Sequence, residues 1–448
     1  MIGLKYTSWV VLLSAMTASS AVLGETVFDE ELSLDVAFEL AKSNAPVLAI
    51  ARYQVDIAEA QRDDARGRLL PSVSLFGQWS ENKLSYEGGV GGLYSEQNYP
   101  GERYGAQLTQ PLLNKTNWNE FSRQKLLFGI AENDFAQAEI DLLRQLVVQY
   151  LDVLVSQSQE VALKEELQAL SEQLDQANAF FERSMIPITE LYETRAREQS
   201  VRADVIAARA ESEIARQELK TLIGDVPGTL ATLDDHLSLP VEAASFERIA
   251  ELALNNTPAV RAAETAVAAA LEGVEREKGA RWPQIDLIVS QQYSDVGFDN
   301  LSQPARTSDS IQIAVNYPLV QGGSTSARIR GAWAELFKTK EQLRQIRRDV
   351  EAEARYSLVS LEAAVERCEA AERSLTASEM SVAATQKAKL LGEAGAVEVL
   401  FALSQRSKAR RDLAIAQQQQ VLAWLDLQLM AEPDPSSVAR KLASALWG

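Results

Sequence analysis

The amino-acid sequence predicts a mostly α-helical protein with a small amphipathic β part, built from two tandem copies of one structural unit. Three observations predict this fold class. The same pattern of proline and glycine positions recurs about 210 residues later in the chain. Long stretches carry apolar residues at helical spacing, and four short runs alternate apolar and polar residues. Each copy then reads, in order, as a helix, two strands and a long helical hairpin.

The N-terminus, residues 1–24, has the pattern of a signal peptide. Lys5 supplies a basic start, an apolar run follows from Trp9 to Met16, and small residues precede possible cleavage sites after Ala21 or Gly24. The apolar run is well below the ~20 residues that a membrane-spanning helix needs. We therefore expect the mature chain to leave the cytoplasm, and any membrane crossing to be made by strands.

The repeat is visible in three matched segments. They are residues 40–46 (LAKSNAP) with 252–258 (LALNNTP), 67–75 (GRLLPSVSL) with 279–287 (GARWPQIDL), and 110–112 (QPL) with 317–319 (YPL). The sequence therefore predicts a first repeat at 25–244, a second repeat at 245–431 and a C-terminal tail at 432–448.

Each repeat is predicted to open with a helix, Pro46 to Arg68 or Pro258 to Gly279, because proline suits the start of a helix and glycine its end. Helical hairpins are predicted at about 116–224 and 324–430. Apolar residues recur three and four positions apart in the first: Leu142, Leu143, Leu146, Val147, Tyr150, Leu151 and Leu154. A helix of about 65 residues forms a rod of about 100 Å, which must pack on neighbours to bury such a stripe. A soluble coiled coil would fit these helices equally well.

Strands are predicted at about 71–86, 103–112, 283–293 and 309–318, each pair joined by a polar loop, Glu81–Arg103 or Ser294–Asp309. Period-two alternation gives such strands one apolar and one polar face, although Phe76 and Ile288 break the pattern. The polar side chains expected to line a lumen are Gln107, Thr109, Gln284, Asp286, Gln312 and Asn316. Aromatic residues cluster beside the strands, as in the girdles of outer-membrane barrels: Trp79, Tyr86, Tyr94, Tyr99, Tyr104, Trp118, Trp282, Tyr293, Phe298 and Tyr317.

The number of strands predicts an oligomer. Four strands cannot close a membrane barrel, and open sheet edges are not tolerated in lipid. Two copies would give eight strands and three copies twelve. The trimer is favoured, because side chains fill the interior of an eight-stranded barrel.

The arrangement resembles the TolC family of outer-membrane efflux proteins over nearly the whole mature chain. The most specific matches are the strand-to-helix segments 108–113 (LTQPLL) and 317–323 (YPLVQGG), with Leu222-Ile223-Gly224 near the end of the first hairpin. The resemblance implies a homotrimer in the bacterial outer membrane, in contact with its lipid. In it a 12-stranded β-barrel is continued across the periplasm by a long α-helical barrel of coiled-coil hairpins.

The same resemblance implies partners and a route. A periplasmic adaptor (membrane fusion) protein and an inner-membrane transporter of the ABC or RND type would dock at the helical tips, and substrate would pass along the lumen. The segments 225–244 and 432–448 would form a belt around the helical barrel. The cargo cannot be read from this sequence.

The tips of the two hairpins also repeat. Their expected docking residues are Met185, Ile186, Pro187, Gly392 and Gly395. Glu190 and Glu398 occupy matching places just past each turn, and in three copies they could form acidic rings at the pore entrance. The alternative is that both are first-turn glutamates that favour a helix N-terminus.

The second tip departs from the family pattern. Phe401 stands where a second acidic residue is expected after Glu398, and Lys389 and Ala394 replace a tyrosine and an arginine that latch the closed gate. The resemblance therefore implies a weaker acidic constriction and different closing contacts.

Composition excludes several other classes of function. A formal charge of −19 argues against binding to nucleic acid. The single histidine (His236) and single cysteine (Cys368) make a transition-metal site or cofactor unexpected. No nucleophile, base or carboxylate pair stands out, so we expect no enzymatic activity. The remaining alternative is a periplasmic coiled-coil adaptor or scaffold without a pore.

Overall fold

The computed structural model describes residues 32–86, 95–224, 230, 239, 245–296 and 302–447. The helices and strands of the first repeat are α1 (Leu34–Asn44), α2 (Pro46–Gly67), β1 (Ser72–Tyr86), β2 (Ser95–Leu113), α3 (Lys115–Glu182) and α4 (Ile188–Ile223). Those of the second are α5 (Phe246–Asn256), α6 (Pro258–Gly279), β3 (Gln284–Val296), β4 (Ser302–Asn316), α7 (Ser324–Leu390) and α8 (Ala396–Ala431). Helix α9 (Pro435–Trp447) follows.

The predicted fold class is confirmed in its mostly helical character, its four strands per chain and its internal repeat. Matching helices agree closely in length: α1 and α5 have 11 residues each, α2 and α6 have 22, and α4 and α8 have 36. The long helices α3 and α7 have 68 and 67 residues. The predicted signal peptide and most of segment 225–244 lie outside the described residues.

The sequence analysis did not predict the short helices α1 and α5, which precede α2 and α6. Each ends two residues before a proline, because Ala45 separates α1 from Pro46 and Thr257 separates α5 from Pro258. Ala45 and Thr257 are extended, with ψ angles of 118° and 123°, because a following proline disfavours the α conformation. The proline then starts the next helix, where its missing N–H has no intrahelical partner to lose.

The apolar stripe predicted on α3 is buried in the main core of the molecule. Leu143, Leu146 and Tyr150 have essentially no exposed surface, and they share one cluster with Phe38 of α1 and Trp424 of α8. The Tyr150 hydroxyl donates to the backbone oxygen of Leu32 at 2.8 Å. Burying each such leucine stabilises the folded chain by about 1.5–3 kcal/mol. This core cluster therefore holds the helices together.

The two hairpins are joined within the chain where α3 packs antiparallel to α8. Polar pairs cross this seam at successive levels. Arg144 donates to Asp426 at 2.7 Å, and Arg410 donates to Glu165 at 2.6 Å. Charged contacts of this kind fix which residues face each other more than they add stability.

The four strands form one antiparallel sheet in the order β1-β2-β3-β4, and β2 pairs with β3 to join the repeats. Strands β2, β3 and β4 are longer than the sequence predicts, whereas β1 agrees with its predicted range. The predicted loops Glu81–Arg103 and Ser294–Asp309 are wrong over most of their length, since pairing continues to Tyr86 with Ser95 and to Val296 with Ser302. Beyond the apolar band both faces are polar, as in the ion pair of Lys83 with Glu96 at 2.9 Å, so the alternation that marks a strand disappears.

Candidate functional site

The sheet has two chemically different faces. Directly paired residues of antiparallel strands point to the same face, and the register sets out rows that cross all four strands. One row consists of Val73, Leu108, Val289 and Ile311; the next consists of Ser74, Gln107, Ser290 and Ser310. An apolar face and a polar face therefore lie back to back across one sheet.

The six side chains that the sequence places in a lumen all lie on the polar face. They are Gln107, Thr109, Gln284, Asp286, Gln312 and Asn316. The Gln107 amide donates to the Thr109 hydroxyl at 3.2 Å, and the hydroxyls of Ser290 and Ser310 are hydrogen bonded at 2.8 Å. Neighbouring polar groups thus bond along and across this face, as on a surface in contact with water.

The apolar face is exposed in the single chain. Leu75 is 82% exposed and Ile311 78%, and a contiguous apolar surface of this kind marks contact with lipid or protein. Tyr104 and Tyr293 stack on this face with ring centroids 4.7 Å apart. Exposed Trp118 and Trp282 lie at the opposite end, where the strands meet the helices. The apolar surface is therefore bounded by aromatic side chains at both ends.

Several residues depart from this division, and Ile288 on the polar face is one of them. On the polar face, Phe76 lies over Gly105, whose added Cβ would approach the Phe76 ring to 3.0 Å and the Gln291 backbone oxygen to 2.3 Å. The ring of Phe76 fills the space that the glycine leaves. On the apolar face, the Gln291 amide donates to Asp309 at 2.9 Å, and sequence alternation gave no sign of this polar pair among apolar neighbours.

The tips of the two hairpins are built alike. Ser184 and Gly392 occupy equivalent places with positive φ angles of 59° and 76°. After each, a backbone N–H reaches back five residues: Met185 to Phe180 at 2.9 Å and Glu393 to Ala388 at 2.9 Å. Such bonds satisfy carbonyl groups at the end of a helix, so both long helices stop by the same mechanism.

The predicted docking residues lie at or beside these turns. Met185, Pro187, Gly392 and Gly395 are exposed, and Ile186 is half-buried. The exposed Leu390 and Leu391 extend the apolar surface of the second tip. The sequence identified the turns but not these two leucines.

Glu190 and Glu398 are each the third residue of a helix, but their surroundings differ. The Glu398 carboxylate accepts from the backbone N–H of Gly395 at 2.9 Å, which is half of a capping box. Pro187 occupies the place of Gly395 in the first tip and has no N–H to donate. Glu190 therefore cannot make the same bond, and its carboxylate lies close enough to Lys389 to favour the charged form of that lysine.

Lys389 joins the two tips. Its ammonium donates to the side-chain oxygen of Gln173 on α3. Burial at this seam lowers the pKa of Lys389, and the Glu190 carboxylate partly opposes that shift. Ala394 is half-buried and Phe401 is exposed. Of the three residues that depart from the family pattern at the second tip, Lys389 is therefore the one that connects the hairpins.

Other candidate residues contribute no site. Cys368 is buried against Leu413 and Ala416, and burial raises the pKa of its thiol. His236 lies outside the described residues. Within the described ranges no group of histidine, cysteine, aspartate or glutamate side chains could hold a metal ion. Among the same residues, no helix has the length and apolar character needed to span a membrane.

Comparison with known proteins gives a consistent result. The family model for outer membrane efflux protein matches residues 37–225 and 249–431. The alkaline protease secretion protein AprF of Pseudomonas aeruginosa is 25% identical over 425 residues, covering 92% of this chain and 88% of AprF. The proteases secretion protein PrtF of Dickeya chrysanthemi is 24% identical over 404 residues, covering 88% of this chain and 87% of PrtF.

The fold is also similar to that of solved outer-membrane proteins. The Campylobacter jejuni CmeC outer membrane channel superposes with a TM-score of 0.78 at 17% identity, over 92% of this chain and 89% of CmeC. The Vibrio cholerae outer membrane protein VceC gives 0.75 at 17% identity, over 89% of this chain and 95% of VceC.

Proposed function

Because the chain belongs to the outer membrane efflux protein family, whose model matches both of its repeats, we propose that three copies form the outer-membrane channel of an efflux or type I secretion system. Proteins of this family are transport channels that lie in the outer membrane and extend into the periplasm. The family is not one of enzymes. The trimer, its partners and its cargo are the parts that we propose.

The two-faced sheet carries the proposal. Its apolar face suits lipid, its polar face suits a water-filled lumen, and in the described residues the outer edges of β1 and β4 have no strand partner. Unpaired edges are not tolerated in a bilayer, so β4 of one copy must pair with β1 of the next. Three copies give a barrel of about 12 strands, wide enough to keep an open lumen, whereas eight strands do not.

The helices support the same ring. Helix α6 packs between α3 and α7, whereas its repeat equivalent α2 packs extensively against α3 only, within the described part of the chain. Ile50 and Ile57 of α2 are each 57% exposed, but Ala262 and Ala269 at the equivalent places of α6 are 8% and 3% exposed. The exposed face of α2 is therefore suited to the α7 of a second copy.

Two glycines mark the same contact. A Cβ on Gly279 would come within 2.8 Å of the backbone nitrogen of Thr116, so α6 ends directly against the start of α3. A Cβ on the equivalent Gly67 would meet nothing within 4 Å among the described residues of the single chain. In the ring, the start of a neighbouring α7 would occupy the space beside Gly67 as α3 does beside Gly279.

The partners follow from the exposed tips. Their apolar side chains, including Met185 and Leu391, suit docking of a periplasmic adaptor that is itself bound to an inner-membrane transporter of the ABC or RND type. AprF and PrtF are named for the secretion of proteases, which supports a protein as cargo.

The strand register shows where engineered cysteines should crosslink neighbouring copies. β2 pairs Ala106 with Gln291 of β3, and the repeat carries this pair onto Ile313 of β4 and Trp79 of a neighbouring β1. Cysteines at Ile313 and Trp79, in a Cys368→Ser background, should form disulfide-linked dimers and trimers in detergent. The pair Ile313 and Gln78, which points to opposite faces, is the matched control. A soluble, uncrosslinked monomer without detergent would favour the adaptor or scaffold alternative.

A further inference from the structure

Phe401 is an exposed aromatic side chain on an otherwise polar stripe of α8. It is 64% exposed and follows Glu398 by one helical turn. The other exposed members of the stripe are Glu398, Gln405, Asp412 and Gln419, at intervals of seven residues, and Lys408. Intervals of seven keep to one side of a helix in a coiled coil, so the stripe faces one direction along α8.

A second copy of the chain would not cover this stripe. Helix α8 is already flanked by α7 of its own hairpin and by α3 of the first hairpin. Copies meet instead at α4 and α7, whose repeat equivalents α8 and α3 are in contact within the chain. Ile206 of α4, for example, is 67% exposed, whereas the equivalent Ala414 of α8 is 7% exposed. The stripe of α8 thus stays uncovered in the ring.

The opposite side of α8 faces an outer layer of helices. Val421 lies two residues from Gln419, hence on the other side of the helix, and it is buried in the core that contains Val438 and Leu442 of α9. A further layer of helices inside the ring would fill the lumen. Helix α9 therefore lies outside the ring, and the stripe that carries Phe401 faces the channel axis.

We propose that Phe401 forms an apolar ring, one side chain from each copy, that narrows the periplasmic entrance of the channel. The ring lies about 4.5 Å along α8 from Glu398. Its repeat equivalent on α4 is the exposed Glu193, so the ring has three aromatic members and not six. Apolar constrictions oppose ion flow by losing water. This proposal rests on the proposed trimeric channel.

Single-channel recording in planar lipid bilayers tests the ring with four proteins: wild type, Phe401→Ala, Phe401→Tyr and Val36→Ala. Alanine should raise the conductance severalfold, because it removes both bulk and apolar surface. Tyrosine keeps the size of the ring but adds a hydroxyl, so it should give an intermediate rise. Val36 is exposed on α1, which packs against α9 outside the ring, and its truncation should leave the conductance unchanged.

The outcomes separate this proposal from the proposed function. If the wild type forms channels and Phe401→Ala has the same conductance, the proposed ring is overturned and the proposed channel function stands. A rise with alanine but none with tyrosine would show a purely steric constriction and overturn the apolar mechanism. The absence of any channel, including wild type, in protein that folds would overturn the proposed function itself. Phe401→Leu is a second variant if alanine impairs assembly.

Discussion

Gly279 at the end of α6 lies directly against Thr116 in the first turn of α3, so close that a Cβ on the glycine would approach the Thr116 nitrogen to 2.8 Å. Glycine is required here by contact and not by its backbone angles. Gly67 holds the equivalent place at the end of α2, where an added Cβ would meet no atom of the described residues within 4 Å. Substitutions at Gly279 therefore test a contact within the chain, and substitutions at Gly67 test a contact between chains.

We predict that Gly279→Val destabilises the folded chain by about 1–3 kcal/mol, since the added side chain overpacks the end of α6. Gly67→Val should leave the single chain folded and weaken assembly instead. Urea unfolding by circular dichroism measures the first effect, and the trimer fraction on size-exclusion chromatography in detergent measures the second. A trimer fraction in Gly67→Val equal to that of the wild type would argue against this assignment.

We predict that lysine is tolerated on one face of the sheet and not on the other. Ile311→Lys should destabilise the membrane-inserted barrel by about 2–4 kcal/mol, because it places a charge on the lipid face. Ser310→Lys, one residue away on the polar face, should fold and shift ion selectivity towards anions. Unfolding in lipid vesicles and reversal potentials provide the measurements. The reverse pattern would mean that the faces are exchanged.

Ser184 and Gly392 give a prediction for the tips. A left-handed conformation costs a residue with a Cβ roughly 1–2 kcal/mol relative to glycine. Ser184→Gly should therefore slow hydrogen exchange and proteolysis at the first tip, and Gly392→Ser should accelerate both at the second. If both substitutions act in the same direction, the shared turn does not determine tip stability.

We predict that Glu190 contributes more than Glu398 to any block of the channel by divalent cations. The Glu398 carboxylate is held by the N–H of Gly395, whereas Glu190 has no such bond to Pro187. Glu398→Gln should mainly weaken the start of α8, by about 0.3–1 kcal/mol, and Glu190→Gln should reduce the block. Unchanged block in the double variant would exclude both residues from the entrance.

Sequence reasoning located what depends on local pattern. The alternation around Val73 and Leu287 identified the strands where one face is apolar, and Pro46 and Pro258 identified the starts of α2 and α6. It missed the outer part of β2 near Glu96, where both faces are polar and no period remains. Pairing with a neighbouring strand, which no local pattern reports, holds those residues in the sheet.

At the hairpin tips, comparison of the two repeats could predict some contacts and not others. Glu190 and Glu398 look equivalent in an alignment of the repeats, and the difference between them comes from the residue three places earlier. Proline at 187 was visible in the sequence, and its missing N–H was sufficient to predict the difference. The contact of Lys389 with Gln173 could not be predicted in this way, because the two residues are 216 positions apart and meet only when the hairpins pack.

The pairing of β2 with β3 has a consequence for the order of folding. Tyr104 and Tyr293 face each other in the sheet, but the whole first hairpin and the start of the second repeat lie between them in the chain. Contacts between such distant residues form slowly, because a long loop must close first. We expect the helical hairpins to fold early in the periplasm and the sheet to form last, as neighbouring edges become available. Closure of the barrel would then be both the final folding step and the step of entry into the membrane.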